Sequence, residues 1–395
     1  MSAQNPVFIP GPTNMPEALR LACHIPTMDH RSPAFADILH PCLKGVRDVL
    51  KSKDAKIFLY PATGTGGWEV ALSNTLSPGD KVLAGRNGMF SDRWIDMCRR
   101  HGLDVQVIEV PWGAGMPVDG FEEALRADKD HAIKAVLATH NETATGVTSD
   151  IAGVRRAIDA AGHPALFLVD GVSSIGSIDF RFDDWGVDIA VTGSQKGFML
   201  PAGLAILGFS EKALRAAESA ALPRTYFDIR DMIKGYANNS FPYTPPVGLM
   251  NALKLSCEML LSEGLENVFA RHHRIAEGVR SAVGAWGMEL CAKSPDLHSD
   301  TVSAIRTPQG FNATDVVTVA ARDYGMAFGV GLGDVAGKVF RIGHLGSLTD
   351  AMMLSGLGVA EMVMVDLGLP VKLGSGVAAA QETYRHGRDA KRAAA

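Results

Sequence analysis

Asp150-Ile151-Ala152-Gly153-Val154-Arg155-Arg156-Ala157-Ile158-Asp159-Ala160-Ala161-Gly162, continuing into His163-Pro164-Ala165-Leu166-Phe167-Leu168-Val169-Asp170, decides the fold class of this 395-residue chain. Ile151, Val154, Ile158 and Ala161 recur at three- and four-residue spacing and share one helix face, while Arg155, Arg156 and Asp159 fall elsewhere. Asp150 is a natural N-cap and Gly162 a natural stop. The run 165–169 is apolar at every position. A strand of that kind is covered on both faces, as in a parallel sheet flanked by helices.

The same alternation extends both ways from this pair. Apolar runs at 56–60, 81–84, 105–110, 133–139, 189–192 and 204–208 read as strands, and 68–76, 91–101 and 121–127 read as helices. The expectation is an α/β fold with a mostly parallel sheet covered by helices. In such sheets ligands sit at the carboxyl ends of strands. Beyond about residue 258 the pattern changes to long amphipathic helices, such as 267–286, alternating with strand-like runs at 303–307 and 338–342. The expected division is an irregular N-terminal segment (1–20), a large domain (21–257) and a smaller α+β domain (258–395).

Composition narrows the class. A formal net charge of -5 gives no general attraction to nucleic acid or an anionic membrane surface. No apolar run is long enough to span a bilayer. The polar start, residues 1–6, lacks the layout of a secretory signal. The five cysteines are odd in number and lack the close spacing of a metal or redox motif, so reduced thiols in a cytoplasmic protein and no bound metal are expected.

Three strand ends carry chemistry. After 56–60 comes Pro61-Ala62-Thr63-Gly64-Thr65-Gly66-Gly67 and then a helix. Small residues let the backbone approach an anion, the helix start supplies free N–H groups, and the Thr63 and Thr65 hydroxyls can add bonds. The stretch is neither a dinucleotide fingerprint nor a P-loop, and a bare tight turn would look the same. Asp170 ends the run 165–169, where a carboxylate is costly without a partner: a cap, an ion pair or a cationic ring nitrogen. Lys196 follows 189–192 in Gly193-Ser194-Gln195-Lys196-Gly197-Phe198. Burial there would make its amine nucleophilic, unless the ammonium snorkels to water. An anion cup, a carboxylate and a lysine are the three needs of pyridoxal phosphate, with Lys196 forming the imine to its aldehyde and Asp170 holding its ring nitrogen protonated.

The blocks Val169-Asp170-Gly171-Val172-Ser173-Ser174 and Gly193-Ser194-Gln195-Lys196-Gly197 resemble the serine/alanine/aspartate–glyoxylate branch of class V aminotransferases, fold-type I enzymes of pyridoxal phosphate. The likeness extends to Ile9-Pro10-Gly11-Pro12-Thr13-Asn14, Asp29-His30-Arg31, the stretch 139–146, Phe241-Pro242-Tyr243-Thr244-Pro245-Pro246 and Gly337-Lys338-Val339-Phe340-Arg341-Ile342-Gly343. The resemblance implies roles. Lys196 and Asp170 are catalytic. Val172 touches one ring face, Phe90 stands where some relatives stack a Trp, and Thr143 lies near the phenolic oxygen. Thr65, Gly66 and Gln195 form the phosphate cup, and Thr244 reaches the phosphate from the partner subunit of a homodimer. Arg341 clamps the substrate α-carboxylate, a task suited to a bidentate fork. Phe241 replaces a Tyr found in some relatives.

The branch implies amino-acid and 2-oxo-acid substrates, with glyoxylate as acceptor. The stretch 222–231 is most like bacterial aspartate–glyoxylate members, which make oxaloacetate and glycine. Serine as donor, giving hydroxypyruvate, is the alternative. An aspartate donor needs a cation for its second carboxylate, for which Arg31, Arg224 and His344 are candidates. Two other classes are a desulfurase-type lyase, which needs a loop cysteine that neither Cys257 nor Cys291 resembles, and a non-catalytic or nicotinamide-binding α/β protein.

Overall fold

A computed structural model describes residues 5–393. Fourteen strands follow in chain order: β1 (Val7–Phe8), β2 (Lys56–Tyr60), β3 (Lys81–Arg86), β4 (Asp104–Glu109), β5 (Ile133–Thr139), β6 (Asn141–Glu142), β7 (Val147–Thr148), β8 (Leu166–Asp170), β9 (Ile189–Gly193), β10 (Ala205–Phe209), β11 (Glu289–Leu290), β12 (Val302–Arg306), β13 (Ala327–Val330) and β14 (Val339–Gly343). Seven form the main sheet in the order β2-β10-β9-β8-β5-β3-β4. The pairs β3/β4, β3/β5, β5/β8 and β8/β9 are parallel, and only β10 runs antiparallel to its neighbours. Every residue of β8, β9 and β10 is buried, as the apolar runs require of a sheet with both faces covered.

The decisive helix forms as read, from Ile151 to Ala160. Asp150 accepts a hydrogen bond from the Gly153 N–H at 2.7 Å, and Gly162 takes φ +61 beyond the end. Another helix departs from expectation. It begins at Gly64 rather than at 68 and runs to Thr75. Glycine-rich sequence is a poor helix former, but here close packing selects it. A Cβ on Gly64 would lie 2.6 Å from Val172 Cγ2, and one on Gly67 would lie 2.6 Å from Val191 Cγ1.

The second sheet has the order β1-β13-β14-β12-β11. Its core contains Phe8, Ile275, Val279, Trp286, Phe340 and Leu357. The first twenty residues, expected as irregular, thus donate β1, which pairs in parallel with β13, and they begin the Glu17–Ala22 helix. A two-residue strand is too short for periodicity to reveal. The Val247–Glu263 helix runs unbroken through residue 258, where the sequence pattern changes, and ends at Gly264 with φ +82. No helix among the described residues is long and apolar enough to cross a membrane.

Candidate active site

The register of the main sheet gathers three chain ends. Thr139 of β5 pairs with Asp170 of β8, and Asp170 with Val191 of β9, so the segments leaving these strands emerge side by side. A cavity of about 330 Å³ lies over them. The N-terminus of the Gly64–Thr75 helix contributes Thr63, Gly64, Thr65 and Trp68. The strand ends add Thr143, Asp170, Val172, Ser173, Gln195 and Lys196. Gly11, Pro12, Phe90 and Ala202 complete the lining.

Asp170 is buried, and only the Val172 N–H, at 2.9 Å, donates to its carboxylate with full geometry. Burial pushes its carboxyl up to about 7, against the opposing pull of that N–H and of Lys196. Lys196 donates from Nζ to the carbonyl of Pro10. Burial, reinforced by the positive charge of Arg341, lowers its amine to about 8. The backbone of Gly11 presses on the same side chain, since a Cβ there would stand 2.5 Å from Lys196 Cδ. The acid and the base are thus shifted toward each other, as in sites of proton transfer.

Arg341 sits on β14, a strand of the second sheet. Its Nε donates to the Val330 carbonyl at 2.8 Å and its Nη1 to the Thr143 carbonyl at 3.0 Å. Burial lowers it to about 10, which leaves it cationic at neutral pH. Thr143 donates from Oγ1 to Ser173 Oγ at 2.8 Å, and Ser173 donates in turn to the Asn141 carbonyl at 2.9 Å.

The residues present fit pyridoxal phosphate. The Thr63 side chain does not cap the Gly64–Thr75 helix. Its first intrahelical bond is from the Gly67 N–H to the Thr63 carbonyl, so the Gly64, Thr65 and Gly66 N–H groups precede the helical ladder. The buried Gln195 Oε1 meets no hydrogen-bond donor, and the buried Trp68 indole N–H meets only the Asp170 carboxylate, short of full hydrogen-bond geometry. The Gln195 amide, turned over, would present its NH2 group instead. Such a concentration of unmet hydrogen bonding beside a buried carboxylate and lysine suits a ring bearing a phosphate.

Of the sequence-predicted residues, Thr65, Phe90, Thr143, Asp170, Val172, Gln195 and Lys196 line this one cavity. Gly66 is the next residue of the same helix turn, and Arg341 joins the site through Thr143. Thr244 is exposed and is not part of the lining. Two candidates for a second carboxylate are spoken for. Arg224 donates from Nη1 to the carbonyls of Ser73, Ala220 and Leu222 at 2.9 to 3.1 Å. His344 is wholly buried between Ser303 Oγ and the Asp300 carbonyl, and burial lowers it to about 3, so it carries no charge. Arg31 is exposed. None of the five cysteines lines the cavity, which leaves a desulfurase without its nucleophile. Trp68 also lines the cavity without a role expected from sequence, as do Ser173, Gly11 and Pro12, which belong to the blocks that carry the resemblance. An aromatic residue one turn after a run of small ones was the available signal for Trp68.

The profile described as Aminotransferase class-V matches residues 21–337. The L-aspartate–glyoxylate aminotransferase of Paracoccus denitrificans (strain Pd 1222) is 72% identical over 385 residues, which cover 98% of this chain and 97% of that protein. The serine–glyoxylate aminotransferase of Hyphomicrobium methylovorum is 53% identical over 380 residues, covering 96% and 94%. Among solved structures, pyridoxamine–pyruvate aminotransferase from Mesorhizobium loti matches with a TM-score of 0.91 at 27% identity, over 98% of each chain.

Proposed function

The chain belongs to the class V aminotransferases, and from that membership we propose that it transfers the amino group of L-aspartate to glyoxylate, giving oxaloacetate and glycine. The 72% identity to an L-aspartate–glyoxylate aminotransferase, over nearly the full length of both chains, carries this reading. Pyridoxal phosphate, when bound, supplies an aldehyde that exchanges amines and a ring that accepts the electron pair left when a Cα–H bond breaks.

The side chains divide the remaining work. Lys196 is the residue to which the aldehyde is assigned. An amine at about 8 has a substantial neutral fraction near physiological pH, so Nζ can take the substrate Cα proton and return it. Asp170 is assigned to the ring nitrogen. A cationic N–H beside it would favour the carboxylate form that burial alone disfavours. The Gly64–Thr75 helix start, with Thr65, Gly66 and Gln195, is assigned to the phosphate. Phe90 and Val172 would hold the ring, and Thr143 would serve its phenolic oxygen. Arg341, already held by two carbonyls, is assigned to the α-carboxylate of the substrate. Its orientation is fixed before substrate arrives, which lowers the ordering cost of binding.

Thr244 is assigned to the phosphate of a partner subunit in a homodimer, a reading supported by its exposure away from its own cavity. Five free thiols suit the cytoplasm. Serine is the alternative donor, supported by the relative at 53% identity. A donor screen with glyoxylate as acceptor tests the proposal. We expect kcat/KM for L-aspartate to exceed that for L-serine at least tenfold, and the reverse order would replace aspartate by serine.

A further inference from the structure

Among the described residues, Glu142 is a buried carboxylate near the cavity that takes no part in the proposed reaction. It is 0% exposed, and its charge is felt by Arg341 and Asp170 without direct contact with either. Its two oxygens are nevertheless fully engaged, and by different segments. Oε2 accepts the Phe90 N–H and the Ser91 N–H, each at 3.0 Å, with Ser91 Oγ at 3.4 Å. These N–H groups open the Met89–Arg100 helix, whose dipole favours an anion at that end. Oε1 accepts the Ala144 N–H at 3.0 Å. The three N–H groups are donors and favour the acceptor-only ionised form, against burial, which raises this carboxyl.

What these contacts join matters more than their number. Phe90 lines the cavity where the ring is assigned. Ala144 follows Thr143, whose carbonyl holds Arg341 Nη1. We propose that Glu142 is a positioning residue: its carboxylate bolts the segment bearing Phe90 to the segment bearing Thr143, and so fixes the spacing between the ring-stacking face and the guanidinium that takes the substrate carboxylate. The inference rests on the function proposed above. The space around Glu142 agrees with it. A Cβ on Gly88 would overlap Glu142 Cγ and Cδ and come within 2.9 Å of Oε2, so the position before the helix must be a glycine for the carboxylate to reach.

Two variants test it by different routes. Glu142→Gln keeps the shape but replaces one acceptor by an NH2 group, which must face an N–H. Gly88→Ala keeps the charge but displaces the carboxylate, and its extended φ of 174° admits alanine. Each would be prepared as apoprotein, titrated with pyridoxal phosphate, and reloaded for visible circular dichroism and kinetics. We expect at least a tenfold weaker cofactor Kd, a smaller visible dichroic band as the ring loses its fixed stack, and a larger rise in KM for both substrates than fall in kcat. If either variant folds and matches wild type in Kd, dichroism and KM, with only its melting temperature lowered, Glu142 is a helix cap and the proposal is overturned. Should one variant not fold, the other decides. Should neither fold, Glu142 holds up the fold rather than the site, and the proposal is likewise overturned. A wild-type protein that takes up no pyridoxal phosphate would instead overturn the functional reading.

Discussion

Asp170 and Lys196 show how a side chain at a strand end acquires its chemistry. Neither has an unusual neighbour in sequence, but Asp170 follows the wholly apolar run 165–169 and Lys196 comes soon after the mostly apolar run 189–192, and those runs predict burial. The shifts follow from it. Between about pH 4 and 7 the folded apoprotein binds a proton at Asp170 that the unfolded chain has already released, so this group's contribution to stability falls as pH rises through that window. The apoprotein of Asp170→Asn should therefore melt above apo wild type at pH 8, with the gap narrowing at pH 5. Equal gaps at both pH values would place the cause elsewhere. Lys196→Ala should abolish transamination and leave the cofactor removable by dialysis without an amine competitor, which an absorbance scan of the dialysed protein would check. Arg224 and His344 mark the limit of residue-level reading. His344 is satisfied by Ser303 and Asp300, some forty residues away, and Arg224 by Ser73 together with the nearby backbone carbonyls of Ala220 and Leu222, which carry no side-chain signal in the sequence.

Two helices of similar length show what a pattern can and cannot reveal. The Ile151–Ala160 helix is legible to within a residue or so because its apolar stripe, its cap and its stop agree. Asp150→Ala should cost it about 1 kcal/mol in denaturant unfolding and leave cofactor affinity unchanged. The Gly64–Thr75 helix starts four residues before the start that periodicity predicts, because its first turn owes nothing to propensity. Glycines there allow β9 and the segment after β8 to approach, and that approach aims the N–H groups at the cavity. Gly64→Ala would drive a methyl group into Val172. It should weaken pyridoxal phosphate binding at least tenfold, measured by titrating the apoprotein, with secondary structure by far-ultraviolet circular dichroism little changed.

At the level of the molecule, strand and helix alternation was enough to predict the mostly parallel sheet, because continuous apolar runs admit few other arrangements. The second sheet was legible only in part, since β1 joins it from the opposite end of the chain. The proposed homodimer belongs to this scale. Thr244→Ala should weaken cofactor retention while leaving the sedimentation coefficient of the dimer unchanged, and a monomeric wild type would remove the basis for its role.

β1 also sets an order of events during synthesis. Val7 and Phe8 are made some 320 residues ahead of their partners Ala327 and Phe328. At roughly 5–20 residues per second the leading strand waits tens of seconds with an unpaired edge and a bare phenylalanine. Pro10, which receives the Lys196 amine, follows on the same segment. A nascent chain can therefore complete its main sheet and still lack a finished pocket, so cofactor capture belongs after β13 has been made and has met β1.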